Sequence, residues 1–166
     1  MTSGMIDATQ APILVVEDSD DDFDTLCHAV DAAGVKRLVR RAASGGDCLD
    51  LLLGERGAGG KSGAGETALP LLPVLILMDL NSHGVDGRDA LVTIKADTRF
   101  SDIPLVVLTT SANPKDVFFC YQAGANAYHI KPVRHDHYLL LVRSLLHYWL
   151  ETATLPFARV DRKSVV

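Results

Sequence analysis

Leu75-Ile76-Leu77-Met78-Asp79 is the stretch that decides the fold. An apolar run ends abruptly on a carboxylate. A run this short and uniformly apolar reads as a strand buried on both faces. Three other stretches share the form: Ile13-Leu14-Val15-Val16 before Glu17-Asp18, Leu105-Val106-Val107-Leu108 before Thr109, and Tyr128-His129-Ile130 before Lys131-Pro132. In an open parallel sheet the strand C-termini meet along one edge, where ligands bind. Three acids, a hydroxyl and an amine would converge there. Carboxylates suit Mg²⁺, while a hydroxyl and an amine suit phosphate oxygens.

Outward from these runs, strands alternate with helical patterns, the signature of an α/β fold with a doubly wound parallel sheet. The expected elements are β1 at about 12–17, α1 at 20–33, β2 at 37–42, α2 after Ser44-Gly45-Gly46-Asp47, and β3 at 74–79. Next come α3 from an Asp86 cap to Ala96, β4 at 104–109, α4 from Asn113-Pro114 to Gly124, β5 at 126–130 and α5 at 135–152. Gly34 is the expected stop of α1, and the charged ends of β2 suggest an edge strand. Residues 1–11 and 154–166 read as tails around a single domain at 12–153, with a flexible loop at 54–72. That loop is Gly-rich over 54–69. Gly60-Lys61-Ser62 would end a phosphate-binding loop, but Glu55 stands where its first glycine belongs and no strand leads into it.

The chain has 166 residues and a net charge of −5. No basic stripe supports nucleic-acid binding, and no apolar run nears the roughly 20 residues that span a bilayer. Neither a signal peptide nor a membrane role is expected, and the expected location is the cytoplasm. Cys27, Cys48 and Cys120 are odd in number and widely spaced, so free thiols on helices are expected.

Glu17, Asp18, Asp20, Asp21, Asp22 and Asp24 crowd the start of α1. Asp21, Asp22 and Asp24 read as solvated first-turn acids that favour the helix dipole. Glu17 and Asp18 end an apolar strand and would repel Asp79 unless a cation joined them. His135 and His137, two apart on a helix, do not share a face and argue against a metal site there. His83 lies close to Asp79 in sequence, with little else to favour a catalytic role.

The combination of Glu17-Asp18, Asp79 within Met78-Asp79-Leu80-Asn81, Gly87, Thr109 and Lys131-Pro132 resembles the receiver domain of two-component response regulators. The separations, 30 residues from Asp79 to Thr109 and 22 from there to Lys131, match as well. The resemblance implies a flavodoxin-like sheet of order 2-1-3-4-5 with five helices. It also implies Asp79 as phosphoacceptor. Mg²⁺ would be held by Glu17, Asp18, Asp79 and the Asn81 carbonyl. Thr109 becomes the switch hydroxyl, Lys131 the phosphoryl-binding amine and Tyr128 the mobile switch aromatic. A cis Lys131–Pro132 bond is also implied, although sequence alone favours trans.

The ending Tyr148-Trp149-Leu150-Glu151-Thr152-Ala153-Thr154-Leu155-Pro156 looks like that of regulators partnering phytochrome histidine kinases. The partner so implied is a sensor histidine kinase, a phytochrome. Leu141, Val142, Leu145 and Trp149 form one stripe of α5, and Leu139, Leu140, Leu146 and Leu150 spread around it. With no output domain expected beyond Pro156, a homodimer through α4, β5 and α5 is expected. Leu140, Leu146, Tyr148, Trp149 and Leu150 would lie at its interface. The expected role is signalling, not enzymatic turnover. One alternative is an Asp-nucleophile phosphatase of the haloacid dehalogenase type, which normally has a second Asp where Asn81 stands. Another is a phosphorelay intermediate serving a histidine phosphotransfer protein.

Overall fold

The computed structural model describes residues 11–54, 72–81 and 87–156. Its elements are β1 (Ile13–Val16), α1 (Asp20–Ala32), β2 (Val39–Ala42), α2 (Gly45–Leu53), β3 (Leu75–Met78) and α3 (Gly87–Ala96). They continue with β4 (Leu105–Thr109), α4 (Pro114–Gln122), β5 (Ala127–Ile130) and α5 (His135–His147). The sheet is parallel throughout, in the order β2-β1-β3-β4-β5. This is the order that the family resemblance implies, in the doubly wound parallel sheet that the sequence pattern predicts.

Alternation along the strands builds two cores. Leu14, Val16, Ile76, Met78, Leu105 and Val107 face Cys48, Leu52, Leu91, Ile94 and Cys120 of α2, α3 and α4. Ile13, Val15, Leu75, Leu77, Val106 and Leu108 face Leu26, Val30, Val142, Leu145 and Leu146 of α1 and α5. Helices on both faces explain why β1, β3 and β4 as far as Leu108 are apolar without interruption.

The helix starts follow side-chain chemistry. Ser19 Oγ accepts from the Asp22 N–H, Ser44 Oγ from Asp47 N–H and Asn113 Oδ1 from Lys115 N–H, with Pro114 beginning α4. Gly34 and Gly124 follow α1 and α4 at φ of 77° and 102°, a region that side chains rarely adopt. The predicted Asp86 cap, His83, the Gly60-Lys61-Ser62 decoy, most of the 54–72 loop and the outer parts of both tails lie outside the described residues. Among the described residues Cys27, Cys48 and Cys120 form no disulfide, and the last two are buried.

Three expectations need correction. The final helix is not one α-helix to residue 152: α5 stops at His147, and Tyr148–Thr152 form a wider π turn. Ala153 N–H closes that turn on the Tyr148 carbonyl at 2.7 Å, and Trp149 and Leu150 both pack on the α1–α5 core. Leu146 is not an interface residue, being 1% exposed. It shares a stripe with Tyr138, Val142 and Leu145 at the spacing of one buried helix face. Leu140 at 61% and Tyr148 at 51% remain exposed, while Trp149 and Leu150 are half-buried. Finally, Lys131–Pro132 is trans, the form favoured by about 0.5–1 kcal/mol in X–Pro bonds.

Candidate functional site

Backbone pairing carries the sheet just past its strand ends and fixes the first polar residues there. Glu17 N–H donates to Ala42 O at 3.0 Å, Asp79 N–H to Val16 O at 3.0 Å, and Lys131 N–H to Thr109 O at 2.7 Å. Glu17, Asp79 and Thr109 are all buried, at 5%, 8% and 0% exposure. Arg41 of β2 braces the β1–α1 turn by donating to the Glu17 carbonyl and to Asp20 Oδ1.

Lys131 Nζ is the centre of the site. It donates to Glu17 Oε2 at 2.7 Å, Asp79 Oδ2 at 2.9 Å and Asp22 Oδ2 at 3.3 Å. Each remaining oxygen of the two buried acids also has a partner. Glu17 Oε1 accepts from Ser19 N–H at 3.1 Å, and Asp79 Oδ1 from Asn81 N–H at 3.1 Å. Burial pushes the Glu17 carboxyl above its ordinary pKa despite the pull of Lys131. Burial draws Lys131 down, but its bonds to Glu17 and Asp79 outweigh it and hold the ammonium above the usual lysine range. Tyr138 borders the same cluster, and burial pushes its hydroxyl up to about 12.

On the other side of Asp79, Thr109 Oγ1 accepts from Asn81 Nδ2 at 3.2 Å. Two residues along, the Ser111 carbonyl accepts from the Tyr128 hydroxyl at 2.8 Å. Gly87 explains itself here. A Cβ at that position would lie 2.8 Å from the Asp79 carbonyl oxygen and 3.0 Å from Leu80 Cα, so only glycine lets α3 begin so close to the acid-bearing loop.

The structure thus brings together Glu17, Asp79, Lys131, Asn81 and Thr109, with Tyr128 attached through the β4–α4 loop. Asp18 is half-buried beside them but lies outside the group of Glu17, Asp22 and Asp79 carboxylates, whose oxygens fall within 4.8 Å of one another. Three hard oxygen donors at that spacing fit a divalent cation that keeps several waters. Asp22 is the residue that a solvated-helix reading misses. It is the third residue of α1, and helical side chains lean toward the helix N-terminus. Its carboxylate therefore reaches back over the β1 end, although it remains 52% exposed. No histidine joins a metal-binding group among the described residues.

The chain belongs to the response regulator receiver domain family, whose model matches residues 13–143. That family is a signalling module. The chain is similar to response regulator Rcp1 of a Synechocystis species, 43% identical over 86 residues, which cover 52% of this chain and 58% of that protein. The chain thus spans little more than half the length of this curated relative. Among solved structures it is similar to the phosphorylated cyanobacterial phytochrome response regulator RcpA. Identity is 33% and the TM-score 0.76, covering 89% of this chain and 99% of that one. It is likewise similar to the Mn²⁺-bound form of Rcp1, at 32% identity and a TM-score of 0.75, covering 88% and 99%. Among the described residues no helix is long and apolar enough to cross a membrane.

Proposed function

We propose that this chain is a phospho-receiver of a two-component pathway that takes a phosphoryl group onto Asp79 from a sensor histidine kinase, a phytochrome, in the cytoplasm. The observation that carries the reading is the contact of Asp79 Oδ2 with Lys131 Nζ at 2.9 Å inside a buried acid cluster. A carboxylate attacking an anionic phosphoryl group needs fixed positive charge beside it. Lys131 supplies one such charge to the oxygens of the transferring group. Glu17, Asp18, Asp79 and the Asn81 carbonyl would hold Mg²⁺, which would supply the other. Thr109 then leaves Asn81 to donate to a phosphoryl oxygen, and Tyr128 follows through the loop that its hydroxyl holds. The phytochrome partner is supported by the likeness to the phytochrome response regulator RcpA.

The test is intact-mass analysis after acetyl phosphate and Mg²⁺. One added phosphoryl is expected on the parent and none on Asp79→Asn. Equal labelling of the variant would sink the assignment.

A homodimer through α4, β5 and α5 extends this proposal. Phe118, Tyr121, Ile130, Leu140 and Tyr148 are exposed on or beside these elements. Leu140→Glu should keep the fold by circular dichroism and run as a monomer in light-scattering chromatography, with the parent a dimer. A monomeric parent at high micromolar concentration, phosphorylated or not, contradicts the dimer.

A further inference from the structure

Asp116, the third residue of α4, spends each carboxylate oxygen on a different element. Oδ1 accepts from Arg88 Nη2 of α3 at 2.7 Å, and Oδ2 from the Ser111 hydroxyl at 2.6 Å. Both charged side chains are largely shielded, at 29% and 19% exposure, so solvent screens this pair less than an open surface bridge. Both hydrogen bonds pull the Asp116 carboxyl below its ordinary pKa, the Ser111 hydroxyl most strongly. Ser111 is thereby held at three points. Its Oγ donates to Asp116 and accepts from Asn113 N–H at 3.3 Å, and its carbonyl accepts from Tyr128. Arg88 directly follows Gly87, which abuts the Asp79–Leu80 backbone. The contacts therefore run from the β3–α3 side of Asp79, through Arg88 and Asp116, to the loop carrying Thr109.

We propose that Arg88, Asp116 and Ser111 form a latch that positions the Thr109–Asn113 loop in its resting place and sets how readily that loop moves toward Asp79. Thr109 Oγ1 is engaged with Asn81 at 3.2 Å in this state. To reach a phosphoryl oxygen it must leave that bond, and Ser111, two residues along, must move with it. The Ser111–Asp116 bond then breaks, while Tyr128 follows the Ser111 carbonyl. The latch thus opposes the switch, and its strength fixes the resting population of the moved loop. The proposal rests on Asp79 being the phosphoacceptor.

The experiment compares the full chain with Ser111→Ala and Asp116→Asn. Tyrosine-selective ¹³C relaxation dispersion on the unphosphorylated proteins reads the minor ring state of Tyr128. Losing one hydrogen bond from the latch should raise that population about three- to tenfold. Labelling by acetyl phosphate with Mg²⁺ should accelerate in the same order. A merely structural contact would lower the melting temperature and leave Tyr128 exchange unchanged. An unchanged or smaller minor population in folded Ser111→Ala overturns the latch. Should Asp116→Asn fail to fold, Ser111→Ala still decides, since it removes only a hydroxyl from a loop. If the parent takes no label, the phosphoacceptor reading fails, while the Tyr128 measurement decides the latch on its own.

Discussion

The two flanks of Asp79 are built from different physics. On the β1–β5 side, Glu17, Asp22 and Asp79 surround the single ammonium of Lys131. On the β4 side, the bonds that reach Thr109 and Tyr128 join uncharged groups, Asn81 to Thr109 and Tyr128 to the Ser111 carbonyl, and the charged Arg88–Asp116 pair stands behind them, bonded to Ser111. A charged flank binds charge, but it is costly to disturb because buried ions need their partners. A neutral hydrogen-bonded flank has bonds worth about 1 kcal/mol each, which can be exchanged without large loss. The first is suited to holding a cation and a phosphoryl group, the second to moving.

The comparison can be broken most forcefully at Lys131. Lys131→Ala leaves Glu17 and Asp79, both buried, with no ammonium between them. Breaking such a pair costs about 3 kcal/mol or more, read as a lower urea midpoint in metal-free buffer at neutral pH. Added Mg²⁺ should restore part of that loss by binding the folded state. Stability unchanged by the substitution, or a deficit indifferent to Mg²⁺, would mean that the acids do not act as a charged group.

A smaller effect belongs to the other flank. Thr109→Val keeps the shape of a fully buried side chain but removes the acceptor of the Asn81 amide. The expected cost is about 1 kcal/mol, with no dependence on Mg²⁺ and with Asp79 still labelled. A loss as large as that of Lys131→Ala would erase the distinction between the flanks.

The smallest effect is a pH slope. The folded state holds the Lys131 ammonium above its ordinary pKa. Its contribution is therefore fully present below the unfolded-state value of about 10.4 and is lost as pH rises through the higher folded-state value. Urea midpoints of the parent should fall in that alkaline window, and those of Lys131→Ala should fall less. Parallel curves would contradict the assignment.

The two flanks were also unequally legible in the sequence. The strands announce themselves because burial on both faces leaves no polar position, and their first polar residues then mark the site edge. Glu17, Asp79, Thr109 and Lys131 are found that way. Asp22 is not, because its role depends on the backward lean of a helical side chain toward a lysine 109 positions away. The Arg88–Asp116 pair is equally silent, since 28 residues separate partners on different helices. Leu146 misleads for another reason. With leucines at 139, 140, 141, 145 and 146, several stripes fit the helical period, and only packing against the α1 side selects Tyr138, Val142, Leu145 and Leu146. The π turn at Tyr148–Thr152 has no periodic signature that short sequence could carry.

The central claim is that the junction of the two flanks, Asp79, is where the phosphoryl group is bonded. An acyl phosphate is reduced by borohydride to an alcohol, so a phosphorylated aspartate becomes homoserine at its own position. Peptide mapping by mass spectrometry after acetyl phosphate, Mg²⁺ and borohydride should find homoserine at position 79 and at no other aspartate. Homoserine at Asp18 or Asp22 in place of Asp79, or a phosphoryl group retained on a histidine, would contradict the account.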